Sequence, residues 1–216
     1  MLIAGLSSAV NEVSVGLLDV GAGTKVVFDY TLVGPQGKSE NLIPFMKTVM
    51  EKAGFSPKDL DALAITQGPG SYSGLRGSVA AAKTMAHTLK LPLYGASTLE
   101  VIAYNYQNAA GTILVILPAV KDQFNVALFA AKQGSIKRLT EDLILTSERL
   151  DEFKKEVRAG SKPEGLIVAD DLTPRGINTA KIGAQLFLAK EKSDPLRLQP
   201  KYSHLPKYKE IGRGIK

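Results

Sequence analysis

The chain has 216 residues, 44% hydrophobic and 22% charged, with a formal charge of +6 and no cysteine or tryptophan. That balance suits an α/β protein able to bury one large core or two small ones, and it excludes disordered and collagen-like classes. The lack of cysteine excludes disulfides, thiolate metal sites and a cysteine nucleophile. The apolar N-terminus lacks the basic start of a secretory signal and no run reaches membrane-spanning length, so a cytoplasmic protein with no membrane partner is expected.

In chain order, Met1 to Ala4, Glu12 to Asp19 and Lys25 to Val33 read as strands, with "SSAVN" and "GAGT" as the intervening turns. A helix follows from Ser39, where Leu42, Met46, Val49 and Ala53 repeat at helical spacing before Gly54 closes it. "DALAITQG" is an apolar strand leading into the glycine-rich "ITQGPGSYSGLRGS", and Leu75 to Leu89 forms the next helix. "LPLYGAS" and "TLEVIAYNY" add a strand and a helix. The pattern then partly repeats: "TILVILPAV", "FNVALFAA" and "IKRLTEDLIL" as strands, Ser147 to Val157 as a helix, "GLIVAD" as a strand and Thr179 to Lys190 as a helix. The expected architecture is therefore two related β-β-β-α-β-α units, 1–104 and a reduced 105–216.

The glycine corner carries the first candidate site: Gly68, Gly70, Ser71, Ser73, Gly74 and Arg76. Amides between a strand and a helix N-terminus suit an anion or a nucleotide phosphate. The Lys-Ser/Thr pair of a nucleotide-binding P-loop is missing after Gly74, so a glycine turn capped by Ser71 or Ser73 explains the stretch equally well.

The second candidate is a partner surface. Phe45, Met46 and Met50 belong to an apolar arc wider than a single contact needs, while Ala80, Ala81 and Thr84 leave the next helix unusually slim. Slim helices let another helix approach closely, and burial inside the protein is the competing explanation. The charge is concentrated late. Lys190, Lys192, Arg197, Lys201, Lys207, Lys209, Arg213 and Lys216 face three acids, with Tyr202, His204 and Tyr208 interleaved. Such a tail is either solvated or in contact with RNA. His87 and His204 have no second ligand at metal spacing, and Glu100 reads as a first-turn acid favoured by the helix dipole.

The stretch Ala62 to Ala103, "ALAITQGPGSYSGLRGSVAAAKTMAHTLKLPLYGASTLEVIA", resembles the signature region of the bacterial TsaB (YeaZ) family. The likeness extends upstream through "SENLIPFMKTVMEKAGFSPKDLDALAI", and "DPLRLQPKY" resembles the family's closing strand. The resemblance implies an actin-like ATPase (ASKHA) superfold. It also implies a non-catalytic partner of a TsaD-like subunit which, with a TsaE-like ATPase, transfers threonylcarbamoyl to N6 of the adenosine beside the anticodon of tRNA. A homodimer is the alternative when the chain is alone. tRNA would be met through the complex, no cofactor would be bound by this chain alone, and ATP could sit at a complex interface.

The departures from the superfold's catalytic members fit this expectation. Leu6-Ser7-Ser8 stands where kinases of the superfold carry an Asp, and Thr98 and Ile102 stand where the catalytic relative has paired histidines, so no metal is expected. Pro118 to Asp122 replaces the family's Asp-Ala-Arg turn, leaving Asp122 as a turn carboxylate without an assigned role. The alternative function is a nucleotide-dependent phosphotransferase or metallopeptidase-like enzyme of the same superfold.

Overall fold

The computed structural model describes residues 1–21, 23–34, 38–160 and 165–203. The first part of the chain folds as β1 (Leu2–Val10), β2 (Glu12–Val20), β3 (Thr24–Val33), α1 (Leu42–Ala53), β4 (Leu60–Gly68), α2 (Tyr72–Leu89), β5 (Leu93–Ser97) and α3 (Thr98–Ala103). Its sheet runs β3-β2-β1-β4-β5, antiparallel from β3 to β1 and parallel from β1 to β5.

Central strand β1 is buried along almost its whole length because both faces are covered. Leu2, Ala4 and Leu6 pack with α1 and α2, while Ile3 packs on the opposite face with Ile177, Ala180 and Ala184. Apolar runs of this kind mark strands buried on two sides. The turn expected at "SSAVN" is instead the end of β1. Ser7 and Ser8 are buried, and Ser7 Oγ accepts a hydrogen bond from Thr66 Oγ1 at 3.0 Å, so a polar pair is tolerated in mid-sheet.

The second part comprises β6 (Gly111–Pro118), β7 (Gln123–Lys132), β8 (Ser135–Arg138), β9 (Leu143–Thr146), α4 (Ser147–Gly160), β10 (Leu166–Val168) and α5 (Gly176–Leu188). Its sheet runs β10-β6-β7-β8, with β9 also pairing to β7. The single strand expected over "IKRLTEDLIL" is thus broken in two. Arg138 turns back to Asp142 at 2.6 Å and Thr140 Oγ1 accepts the Leu128 N–H at 3.0 Å, which fixes the corner. Asp122 acquires a role here, because its carboxylate accepts the Ser147 hydroxyl at 2.6 Å where α4 begins.

Helix α5 starts three residues earlier than its sequence pattern suggests. Gly176 N–H donates to Ser14 Oγ at 2.7 Å and Ile177 N–H to Asp29 Oδ1 at 3.4 Å, so strands β2 and β3 cap a helix far away in sequence. Backbones approach closely at this junction: a Cβ on Gly5 would overlap the Gly176 carbonyl, and one on Gly16 would overlap the Ile177 nitrogen. Residues 176–203, grouped from sequence with the second unit, consequently pack on the first sheet.

Replacing Gly176 with Val should lower stability by about 3 kcal/mol, the upper end of overpacking costs, because the obstacle is backbone rather than a movable side chain. Urea unfolding measures this, and a loss under about 1 kcal/mol would show that α5 can slide.

Burial raises the Asp29 carboxyl above its ordinary value of 3.8, opposed by the Ile177 N–H, Arg175 and Lys181. A raised acid holds its proton more tightly when folded, so its contribution to stability is present below 3.8 and lost as pH rises through the folded value. In a pH series of urea melts, wild type should therefore lose ground to Asp29→Asn across that window and run parallel to it above. A constant difference throughout would contradict the shift.

Candidate functional site at the glycine corner

The corner forms where β4 ends and α2 begins, against the end of β1. Gly68 has φ +126 and the Gly68–Pro69 peptide is cis. Ser71 caps α2, accepting the Gly74 N–H at 3.3 Å, and its own N–H donates to the Ala9 carbonyl at 2.7 Å. The helix therefore starts at Tyr72 rather than Leu75, which puts Ser73 and Gly74 in its first turn.

The glycines answer to close packing. Added Cβ atoms at Gly68, Gly70 and Gly74 would overlap the carbonyl oxygens of Lys201, Ala9 and Ser8 respectively. Only Gly68 of the three also needs a positive φ. Two amides of the corner, those of Ser71 and Gly74, are already paired within the protein. A polar hollow of about 580 Å³ lies beside Ser8, Lys38, Ser71, Ser73 and Gly74. Arg76 lies one turn onward, donating to the Tyr72 hydroxyl at 2.6 Å and covering its ring at 5.3 Å.

On the other side of the corner, a cleft of about 410 Å³ separates the end of β1 and the start of α2 from the β6–β7 turn. Ala9, Asn11, Ser71, Tyr72, Leu117 and Asn125 line it, and its remaining walls are neutral too. No carboxylate, imidazole or cation lines it among the described residues. Residues 200–203 close one end: Lys201 N–H donates to the Gln67 carbonyl at 2.6 Å, Tyr202 packs on Tyr72 with ring centres 4.9 Å apart, and Ser203 Oγ donates to Asn125 Oδ1 at 2.5 Å. The closing strand expected over "DPLRLQPKY" is therefore a turn at 195–197 followed by a strap with one backbone bond to β4.

The remaining sequence candidates are dispersed. Thr98 and Ile102 are fully buried, and among the described residues no three His, Asp or Glu side chains are grouped to hold a metal ion. Glu100 is partly buried in the first turn of α3, 4.0 Å from Arg138; burial raises its carboxyl and Arg138 opposes the rise. His87 is exposed, whereas His204 and Tyr208 lie outside the described residues.

Phe45, Met46 and Met50 are buried, at 8%, 4% and 1% exposure, so they serve the core under α1. Ala80 and Thr84 are exposed and Ala81 half-buried. Between α1 and α2 runs an apolar groove of about 530 Å³ lined by Met46, Met50, Phe55, Met85 and Leu89. Ile43, 48% exposed, stands on its edge.

A family model described as TsaD, tRNA N6-adenosine threonylcarbamoyltransferase, matches residues 35–197. The tRNA threonylcarbamoyladenosine biosynthesis protein TsaB of Bacillus subtilis is 28% identical over 134 residues, which are 62% of this chain and 58% of that protein. TsaB of Escherichia coli is 26% identical over 76% of this chain and 82% of its own length. The chain belongs to the TsaB/YeaZ family. The solved structure of YeaZ from Pseudomonas aeruginosa superposes with a TM-score of 0.76 over 93% of this chain and 99% of that one, at 19% identity. With two sheets and interleaved helices, the TsaB/YeaZ chain fits an actin-like (ASKHA) type of fold. The aligned stretch of the Bacillus TsaB spans less than two thirds of that protein. Among the described residues no helix is long and apolar enough to cross a membrane.

Gly70→Val should destabilise the fold by about 1–3 kcal/mol, because a branched side chain meets the Ala9 backbone. Thermal melts check this, and an unperturbed melting point would show that the corner has room to relax.

Proposed function

We propose that this chain acts in threonylcarbamoyl modification of tRNA as a non-catalytic scaffold and activating partner of a TsaD-like subunit. The transfer goes to N6 of the adenosine next to the anticodon, and a TsaE-like ATPase completes the machinery. The pathway is the one for which its TsaB relatives are named. The observation that carries the non-catalytic role is the neutral cleft. Phosphoryl transfer and metal-assisted hydrolysis both need carboxylates or imidazoles around the reacting group, and none lines it among the described residues. The similar spatial order of strands in the two sheets, β3-β2-β1-β4 and β8-β7-β6-β10, supports descent from a duplicated unit with a reduced second half. ATP, where it binds, belongs to an interface with a partner.

The α1–α2 groove is the surface offered to that partner or, in its absence, to a second copy. An apolar groove edged by exposed Ile43 and Thr84 suits a packed helix from another chain. Met46 and Met50 line it from the α1 side.

Ile43→Glu and Thr84→Arg change exposed positions. Both variants should stay folded by circular dichroism, stop co-sedimenting with the TsaD-like subunit and lose support of tRNA modification. Wild-type association by both would remove the groove from the interface. Magnesium-dependent multiple turnover of ATP by the isolated chain would overturn the non-catalytic role.

A further inference from the structure

The sulfur of this chain is confined to four methionines, since it has no cysteine. Three of them, Met46, Met50 and Met85, line the α1–α2 groove, while Met1 stands apart at the N-terminus, 43% exposed. The three differ in access. Met46 and Met50 are buried under α1, whereas Met85 comes from α2, is only partly buried, and packs on the core while facing the groove. Its surroundings there are apolar, with Phe55, Leu60 and Leu89 on the same wall. The charged pair of the wall, Lys47 and Glu51, is matched internally at 3.8 Å. Two of the three hydroxyls on the wall are also engaged within their own segments, Ser56 donating to Asp59 at 2.9 Å and Thr84 to the Ala80 carbonyl at 3.0 Å.

A thioether fills an apolar groove well, and it is also the group in such a groove that a mild oxidant converts. Hydrogen peroxide oxidises it by two electrons: the O–O bond breaks, one oxygen forms an S–O bond, and the other leaves as water. The product is a sulfoxide, whose oxygen is a strong hydrogen-bond acceptor in place of an apolar surface. We propose that Met85 is a peroxide-sensitive switch of the partner groove: its sulfoxide places a polar oxygen on the docking surface and blocks association, and reduction of the sulfoxide restores it. The switch rests on the docking role proposed above for this groove. Burial spares Met46 and Met50, so the core under α1 survives and the change is confined to the surface. A partner already seated in the groove covers Met85, so peroxide acts on the free chain.

The test treats the full chain with hydrogen peroxide, free and in complex with the TsaD-like subunit, and locates the added oxygen by peptide mass spectrometry. In the free chain Met85 should be oxidised along with exposed Met1, ahead of Met46 and Met50, and in the complex Met85 should be protected while Met1 is not. The oxidised free chain should then associate about tenfold more weakly by sedimentation, as expected for burying one polar group without a partner. Its circular dichroism should be unchanged, and methionine sulfoxide reductases should restore association. Met85→Gln, which carries a permanent polar group of similar length, should weaken association without any oxidant. In Met85→Leu, whatever its untreated affinity, peroxide should cause no further loss, which excludes Met1 as the source.

Oxidation of Met46 or Met50 ahead of Met85 would overturn the proposal. So would equal association of the oxidised and reduced chains, or a loss on peroxide treatment that persists in Met85→Leu. Ile43→Glu in the untreated protein judges the groove separately. If it abolishes association while the oxidised chain still binds, the switch fails and the docking role stands; if it binds as wild type, the docking role fails and the switch with it.

Discussion

Everything in this molecule is arranged around the contact of α5 with the β1–β2 hairpin, where backbone meets backbone at Gly5, Gly16 and Gly176. Because no side chain intervenes, the helix lies close enough for Ser14 and Asp29 to cap its first amides, satisfying donors that would otherwise be buried without partners. The helix comes from the far end of the chain, so closing this contact brings the strap onto α2 and β4 as well. Gly183, about two turns later, gives the same close approach against the Ala64 methyl. The second face of the first sheet is thereby filled, which is why β1 is buried along almost its whole length.

Much of this was legible in the chain, and the misses have a common cause. Helical spacing of Leu42, Met46, Val49 and Ala53 located α1 because one face of that helix meets a continuous core. The α5 start was missed because its caps come from residues 162 and 148 positions away, and no local Ser or Asp marks it. Ser7 and Ser8 suggested a turn because isolated serines favour turns; only the fold supplies Thr66 as a partner. In the candidate site the glycines were visible and their reason was not. A carbonyl from 201 and another from 9 press on them, and long-range backbone contact leaves no periodic trace. Likewise, Phe45, Met46 and Met50 stood in an apolar arc that suited either a partner or the core, and tertiary packing alone places them under α1.

The cleft shows how far a fold and its chemistry can part. The corner, the strand end and the facing turn enclose a cleft to which Pro118 to Val120 bring no charge. Buried hydroxyls spent on one another, as in Ser7 with Thr66, stabilise the sheet but leave no group to accept a proton or bind a cation. The strap across the end of the cleft, joined to Gln67 on one side and Asn125 on the other, ties the two sheets together.

Helix α2 joins the core of the first sheet to the proposed partner surface. Its buried stripe, Leu75, Val79, Ala82 and Ala86, fixes it to the first sheet. Thr84, Met85 and Thr88 flank that stripe toward α1, while Arg76, Ala80 and Lys83 flank it toward the strap. One flank is apolar and the other is cationic and aromatic, a division that lets a rigid helix address two different surfaces without moving. Because the stripe between them is core, a partner docked on the apolar flank would be held at a fixed angle to the first sheet. That angle is set by the packing of α2 on β4 and β1, and through β1 by the glycine contact that seats α5.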